Sequence, residues 1–410
     1  MSKRRVVVTG MGVVTPLGLT VDEFWAGLTS GRSGIGYITQ FDAANFPIKV
    51  AAEVTDFEPA EYMEPKLVDR TARFTQFAIA AARMAVESAR LDFSREYQER
   101  IGVTVATCVD IQGISQELEV LKGRGPKRIN PLFISRIGPH MAAVHIGIIF
   151  GAKGPNSSVN AACASGADAL ATAFDHIQLD HADIMIAGGA DAAISALPIA
   201  GLGCVGALSP ETNPAKASRP FDLNRNGFVY GEGAGIMVLE RYEHATAGGA
   251  PILAELGGAA RSFDAYNEAA PNPETQAIAM SIALSNARVA PEDVDYINAH
   301  GTSTKLNDTS ETKAIKTAFG KHAYQIPVSS NKSMTGHIIA AAGTIEAIAS
   351  VLTINHGIIP PTINYETPDP ECDLDYVPNV ARRADVNICV TNSFGMGGQN
   401  CCLVLKRFIG

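Results

Sequence analysis

The chain has 410 residues, more than a single-core domain usually contains, so its length predicts two domains or one large unit with two lobes. Hydrophobic residues make up 46% of the chain and charged residues 18%, a balance that is typical of a compact fold and excludes extensive disorder. The net charge of −9 argues against nucleic acid or an anionic membrane as the main partner, because both require concentrated Lys and Arg.

The cysteines and the start of the chain indicate the compartment. The seven cysteines are odd in number and lack the spacings of disulfide frameworks or metal clusters, so we expect reduced thiols and no metal site. Only three apolar residues, 6–8, follow the basic start, too few for a signal peptide, and no run of 18 uninterrupted apolar residues occurs. We therefore expect a cytoplasmic protein that does not enter a membrane.

Strand and helix patterns alternate along the chain. Short buried strands are predicted within residues 6–8, 99–108, 182–192, 233–245, 294–304 and 387–408. Helical patterns are predicted over residues 71–89, over residues 164–178 and after residue 337. This alternation is typical of layered α/β architecture. Gly248, Gly249 and Pro251 interrupt the pattern, so we place a boundary between residues 1–250 and residues 251–410.

One cysteine, Cys163, lies in the stretch NAACASGADA, residues 160–169, among unusually small neighbours. The helix predicted after it would direct N–H groups and the positive end of its dipole at the sulfur, which favours the thiolate. The small neighbours also leave room for a bulky electrophile. On this stretch alone, a buried structural cysteine remains the alternative interpretation.

Two histidines strengthen the functional interpretation of Cys163. His300 lies in NAHGTST at the end of a predicted strand, where α/β sheets usually carry functional groups. His337 precedes a long Ala-rich helix, whose positive end disfavours the imidazolium, so this ring should stay neutral. Each histidine alone would be read as structural, but together with Cys163 they indicate a catalytic site.

Six motifs together resemble one enzyme family. NAACASG, FDLNRNGFVYGEGAG, NAHGTST, SSNKSMTGH, AAGTIEAI and NSFGMGGQN are similar to motifs of the β-ketoacyl-[acyl carrier protein] synthases, particularly the type II elongating enzymes of fatty acid biosynthesis. The opening stretch RRVVVTGMGVVTPLG also resembles the family, so the match is collinear from about residue 3 to residue 407. The resemblance implies an α/β thiolase-like fold, with two similar halves in a five-layered α-β-α-β-α stack, an active site between the halves, and a homodimer.

The resemblance also implies the reaction and its residues. Cys163 would accept an acyl group from an acyl carrier protein, and the acyl-enzyme would condense with a decarboxylating malonyl-carrier. His300 and His337 would stabilise the enolate. Lys332 would orient this network, and Glu346 would support it. No resident cofactor is expected, since phosphopantetheine arrives on the carrier.

Further residues have implied roles at the edges of the site. Phe394 would act as a gate, and its backbone N–H would join that of Cys163 in an oxyanion hole. Thr302 and Thr304 would contact the pantetheine arm. Val109 would line the acyl pocket, where an isoleucine is common in the family. Met396 stands where the family usually has a phenylalanine, which affects the gating loop.

The carrier is acidic, so it needs a local basic cluster on this acidic chain. Lys66, Arg70 and Arg73 offer one in a region that the family uses for docking, although an ordinary solvated helix face is the alternative.

Two other functions stay open at this stage. A condensing enzyme of a specialised polyketide or polyene pathway would carry the same residues. A non-catalytic chain-length partner of a heterodimeric synthase usually replaces the nucleophile, whereas this chain has Cys163.

Overall fold

The computed structural model describes residues 4–410. The elements up to residue 250 are strands and helices that carry Cys163 between β5 and α7. In chain order they are Val6–Val14 (β1), Val21–Thr29 (α1), Gly36–Tyr37 (β2), Val50–Ala51 (β3), Pro65–Val68 (α2), Arg73–Ala89 (α3), Ile101–Thr107 (β4), Ile111–Arg124 (α4), Phe133–Ile137 (α5), Met141–Phe150 (α6), Asn156–Ser157 (β5), Ser165–Gln178 (α7), Ile184–Asp191 (β6), Ala196–Cys204 (α8), Gly233–Arg241 (β7) and Tyr242–Gly248 (α9).

The elements beyond residue 250 carry both histidines of the sequence motif. In chain order they are Ala254–Phe263 (β8), Pro273–Ala287 (α10), Tyr296–Asn298 (β9), Lys305–Phe319 (α11), Val328–Ser329 (β10), Lys332–Thr335 (α12), Ile339–His356 (α13), Ile358–Ile359 (β11), Arg382–Arg383 (β12), Ile388–Gly395 (β13) and Gln399–Lys406 (β14). The strand predicted within residues 294–304 is short, because the chain turns after Asn298 through positive φ angles at Gly301 (+38°) and Ser303 (+71°).

One sheet, in the order β10-β9-β13-β14-β8-β1-β7-β6-β4-β5, contains the same pairing pattern twice. In one half β5, β4 and β6 are parallel neighbours, followed by β7 and β1 in antiparallel pairing. In the other half β10, β9 and β13 are parallel, followed by β14 and β8 in antiparallel pairing. Two residue pairs between β1 and β8 join the halves. The α/β class and the two similar halves are thereby confirmed.

Helices separate and cover the two half-sheets in layers. Helix α3 packs on β1, β7 and β6, and α6 packs on β4, which together form one outer layer. Helices α7 and α13 lie between the half-sheets, since α13 contacts β6 and β7 on one side and β13 and β14 on the other. Helix α10 covers β8 and β14, with α11 packed against it. The order is the expected α-β-α-β-α stack. The boundary at residue 250 stays a prediction.

The two central helices approach each other closely at two glycines. A Cβ atom at Gly166 in α7 would lie 2.8 Å from the carbonyl oxygen of Ala340, and one at Gly343 in α13 would lie 2.7 Å from the backbone nitrogen of Ala167. Real Cβ atoms do not come so near, so both positions require glycine. The small residues after Cys163 therefore serve helix packing as well as access to the thiol.

Helix α13 is also the longest apolar helix. Among the described residues it is the one helix whose length and hydropathy would allow it to cross a membrane. Of its 18 residues, 83% are buried inside the protein. This burial identifies it as a core helix.

His244 on α9 connects two acidic side chains across the outer surface of the first half. Its Nδ1 lies 2.6 Å from Oε2 of Glu240, and its Nε2 lies 2.9 Å from Oε2 of Glu96. Hydrogen bonding to Glu240 and then to Glu96, acting against burial, raises the pKa of His244 to about 9. A raised pKa means that the folded state binds this proton more tightly than the unfolded chain does.

We expect His244→Gln to lower the free energy of unfolding by about 1–3 kcal/mol at a pH of about 6, and by much less at a pH of about 10. The stabilisation is fully present below the ordinary histidine pKa of 6.5 and is lost as pH rises through about 9. Urea unfolding of both proteins at the two pH values measures it. His181→Gln, at an exposed histidine, is the control. An equal loss at both pH values would contradict the assignment.

Candidate active site

The nucleophile candidate lies on a tight turn that enters α7. Residues Ala162–Ala164 form a single 3₁₀ turn, and Ala162 has a φ of +49°, in the left-handed region that side chains disfavour. The Ser165 hydroxyl accepts from the N–H of Ala161 at 2.8 Å and donates to the carbonyl of Ala162 at 2.6 Å. This hydroxyl therefore holds the turn that carries the half-buried Cys163.

The structure brings both histidines to Cys163, as the sequence and the resemblance predict. His300 follows the carboxyl end of β9 by two residues, and His337 precedes the start of α13 by two. The Cys163 sulfur, a ring nitrogen of His300 and a ring nitrogen of His337 all lie within 4.8 Å of one another. The two imidazole rings meet edge to face, with centroids 5.3 Å apart. Three side chains from three elements thus converge on one point.

Both imidazoles are neutral in this environment. Each histidine is 1% exposed. Burial lowers the pKa of His300 well below its usual value, and Lys332 and His337 lower it further. Burial and then Lys332 do the same to the pKa of His337. Neither ring nitrogen of His337 has a hydrogen-bond partner among the described residues. A neutral ring can both donate and accept a hydrogen bond, and His337 has both of its nitrogens available for this.

Lys332 and Glu346 form a buried ion pair that holds His300. The Lys332 ammonium pairs with Oε1 of Glu346, donates to the carbonyl of His300 at 2.7 Å, and lies 3.3 Å from its Nδ1. Burial raises the pKa of Glu346 to about 7, against the opposing effect of Lys332. Removing one member of a buried pair leaves an uncompensated charge, so these two side chains depend on each other. These contacts connect Lys332 to His300 and Glu346, and their orienting role stays a prediction.

A second acid, Glu311 on α11, holds the loop that carries His300. Its two carboxylate oxygens accept the backbone N–H groups of His300 and Gly301, each at 2.8 Å, and Oε1 also accepts from Asn392 at 3.2 Å. Sequence reasoning missed this residue. A single glutamate within an otherwise polar helix carries no signal that its carboxylate is buried against a loop.

The expectation of a lowered thiol pKa at Cys163 is wrong in direction. Burial raises the pKa of the Cys163 thiol above its usual value, and Asp191 adds to the rise. The N–H of Met396, the charge of Lys332 and the residue's own N–H act in the opposite sense and are outweighed. The helix terminus alone suggested a thiolate, because the sequence does not reveal how deeply the sulfur is enclosed.

The backbone N–H that faces the sulfur belongs to Met396, so the prediction that Phe394 supplies it is wrong. Phe394 is a paired residue of β13, opposite Asn400, whereas Met396 lies beyond the end of that strand. The Phe394 ring is buried and meets the His300 ring edge to face, with centroids 5.8 Å apart. The Met396 side chain is 62% exposed. Phe394 therefore packs against a histidine, and Met396 is the exposed side chain of this turn.

The stretch after β4 brings Cys108 towards the site. Cys108 is half-buried beside Asp191, and the charge of Cys163 is among the influences that raise its pKa, after burial and Asp191. Burial raises the pKa of Asp191 to about 6. Val109 is 39% exposed, and its place in an acyl pocket stays a prediction. Cys108 is the neighbour that the sequence reasoning overlooked.

The two threonines after His300 are adjacent but differ in role. Their hydroxyls lie 2.8 Å apart, and Thr304 also caps α11 by accepting from the N–H of Asn307. Thr302 is buried and Thr304 is half-buried. Their contact with a pantetheine arm stays a prediction.

The predicted docking cluster loses one member. The Arg73 guanidinium donates to the carboxylate of buried Glu232 and to the carbonyl of Val54, and it lies over the Phe77 ring. The side chain is still 34% exposed, but its charge is paired with Glu232, which corrects the expectation of a free cation. Lys66 and Arg70 are exposed, and neither forms an ion pair with another described residue.

Comparisons with known proteins agree with this geometry. The family profile "Beta-ketoacyl synthase, N-terminal domain" matches residues 3–245, and "Beta-ketoacyl synthase, C-terminal domain" matches residues 253–366. A protein of Synechocystis sp. named 3-oxoacyl-[acyl-carrier-protein] synthase 2 is 45% identical over 100% of this chain and 99% of its own. A protein of the same name from Coxiella burnetii is 46% identical over 99% of each chain.

Solved structures extend the similarity to the fold. The ishigamide ketosynthase/chain length factor is 40% identical, with a TM-score of 0.93 over 100% of both chains. The AntDE:AntF structure, a ketosynthase in complex with its type II acyl-carrier protein, is 38% identical, with a TM-score of 0.92 over 100% of both chains. These similarities confirm the thiolase-like fold, and with the two matched profiles they establish that the chain belongs to the beta-ketoacyl synthase family.

Proposed function

We propose that the chain is a 3-oxoacyl-[acyl-carrier-protein] synthase that elongates acyl chains in fatty acid biosynthesis by decarboxylative condensation. The observation that carries the proposal is the convergence of one thiol and two neutral imidazoles within 4.8 Å. The 44–46% identity to full-length proteins named 3-oxoacyl-[acyl-carrier-protein] synthase 2 supports the same activity. The cytoplasm is the compartment that we propose for it.

Acyl transfer to Cys163 is the first step. The sulfur attacks the thioester carbonyl of the acyl-carrier, a new C–S bond forms, and the bond to the pantetheine sulfur breaks. Because the thiol pKa is raised, a base must take its proton, and a neutral imidazole within 4.8 Å can do so and then return it to the departing thiol. The N–H groups of Met396 and Cys163 point towards the sulfur, in a position to stabilise the oxyanion.

Decarboxylation and condensation follow at the same point. The malonyl thioester oxygen accepts hydrogen bonds from His300 and His337, carbon dioxide leaves, and the remaining electron pair forms an enolate. Neutral N–H donors suit this step, because they can hydrogen-bond to the negative enolate oxygen while keeping their own protons. The enolate carbon then attacks the acyl carbonyl on Cys163, so that a C–C bond forms and the C–S bond breaks, and the released sulfur takes up a proton from solvent.

A specialised pathway is the second candidate function. The similarity to the ishigamide ketosynthase/chain length factor favours it, at 40% identity and full coverage. The higher identity to the elongating synthases favours fatty acid elongation. A non-catalytic chain-length partner is disfavoured, since Cys163, His300 and His337 are all present and converge.

Cys163→Ala should abolish acylation and condensation, while His300→Ala and His337→Ala should each reduce decarboxylation by at least about 100-fold, because enolate stabilisation depends on the donors. At least one histidine variant should still acylate Cys163. Acyl-enzyme mass and carbon dioxide release, followed in parallel with acyl-carrier and malonyl-carrier substrates, measure the two steps. Cys204→Ala, at an exposed cysteine, is the control. Unchanged decarboxylation in both histidine variants would contradict the proposed mechanism.

We propose that an acyl carrier protein delivers the substrate and docks near Lys66 and Arg70. Reversal of both to Glu should raise the KM for acyl-carrier several-fold, with little change for a small acyl-thioester, because only the carrier meets the surface charge. The difference in KM for acyl-carrier between the wild type and this variant should shrink as salt is raised towards 1 M, because the Debye length there falls to about 3 Å. Reversal of exposed Lys313 and Lys321 is the charge-matched control. Equal effects on carrier and small substrates would place docking elsewhere.

We also propose that two copies of the chain associate through β5. This strand is one end of the large sheet, and exposed apolar side chains lie on the neighbouring helices, with Ile134 on α5 73% exposed and Ile148 on α6 71% exposed. An open strand edge beside apolar surface is usually covered by a partner. At the other end, the backbone N–H of Val328 in β10 is already bonded to the carbonyl of Asp375.

Light scattering should therefore give twice the chain mass of 43.2 kDa. The double variant Ile134→Asp and Ile148→Asp should shift the protein towards the monomer, because charge at a buried apolar contact opposes association. Val380→Asp, at an apolar side chain that is 75% exposed in the second half, is the control. A wild-type monomer would refute the dimer.

A further inference from the structure

We propose that Cys163, His300 and His337 bind Zn²⁺, and that the bound ion inhibits the protein. Zinc binding rests on the ligand geometry alone, whereas inhibition by the bound ion rests on the proposed function. One thiol and two imidazoles are the ligand types that zinc prefers, and three protein ligands with an open fourth position form a common zinc arrangement. The ion would act as an inhibitor that competes with the acyl group, in a site where we expect no resident metal.

The three donor atoms are already nearly at ligand spacing. They lie within 4.8 Å of one another, whereas zinc bonds of about 2.0–2.3 Å in tetrahedral geometry need ligand atoms roughly 3.3–3.8 Å apart. A contraction of about 1 Å through side-chain rotation would complete the site. The unpartnered nitrogens of His337 point to an external ligand, since a buried ring without any hydrogen bond is costly.

The charges around the site affect how well it can hold a cation. The Lys332 ammonium opposes a cation, but its ion pair with Glu346 offsets that charge. Lys332 lies beside Nδ1 of His300, which leaves Nε2 as the nitrogen for a ligand.

Binding at Cys163 exchanges a proton for the metal. The S–H bond breaks, the sulfur forms a bond to Zn²⁺, and one proton leaves to solvent, so the charge of the site rises by one. The same sulfur can no longer attack a thioester, which is why occupancy would block acylation.

A second pair of histidines provides the competing explanation. The Nδ1 atoms of His176 and His181 lie 3.4 Å apart on the surface, and such a pair can bind zinc without any role for Cys163. A test must therefore separate the two places. His181→Gln removes the surface pair and leaves the candidate active site intact.

Chelator-treated full-length protein should be titrated with Zn²⁺ against a chromophoric zinc indicator. We expect about one ion per chain in the wild type and in His181→Gln, and at least tenfold weaker binding in Cys163→Ala and in His337→Ala. Co²⁺ should give a sulfur-to-metal charge-transfer band in the wild type that is lost in Cys163→Ala. Zn²⁺ should slow iodoacetamide alkylation of Cys163, with exposed Cys204 as the internal reference.

Undiminished binding in Cys163→Ala, or its loss in His181→Gln, would overturn the inference, as would a Co²⁺ adduct without the charge-transfer band. The band is measured in wild-type protein, so the result does not depend on whether the histidine variant folds. Acyl transfer to Cys163 in the presence of chelator tests the proposed function separately. Zinc binding without acyl transfer would reject only the proposed function, and acyl transfer without zinc binding would reject only this inference.

Discussion

The close contact between α7 and α13 is the constraint on which the rest of the molecule depends. These helices form the middle layer, and Gly166 and Gly343 allow their backbones to meet where any side chain would clash. Cys163 precedes one helix and His337 precedes the other, so a separation imposed at the glycines would also separate the thiol from the imidazole. The same helix contact therefore sets both the packing of the core and the distance between the thiol and the imidazole. A Cβ atom at either glycine would disturb both.

Burial determines the chemistry of the site more than local charge does. Enclosure keeps both imidazoles neutral and the thiol protonated, although Lys332 lies close to all three groups. The ammonium is tolerated because Glu346 pairs with it and the carbonyl of His300 accepts from it. The result is a site with hydrogen-bond donors but few free charges, which suits a reaction whose negative charge is transient.

The sequence was sufficient for the α/β class, the helix over residues 73–89 and the meeting of Cys163 with its two histidines, because long motifs and helical periodicity carry that information. It was insufficient wherever distant segments determine an environment. The thiol pKa depends on enclosure by several loops, the facing N–H depends on where β13 ends, and the pairing of Arg73 depends on Glu232, 159 residues away. No local pattern contains those contacts.

The placement of α13 has a consequence for synthesis on the ribosome. This helix belongs to the second half of the chain, yet it packs on β6 and β7 of the first. At a translation rate of about 5–20 residues per second, the inner face of the first half would wait on the order of 10 s before residue 356 is made. During that interval the inner face of the first half lacks its covering helix, so we expect the first half to complete its core only after α13 has been made.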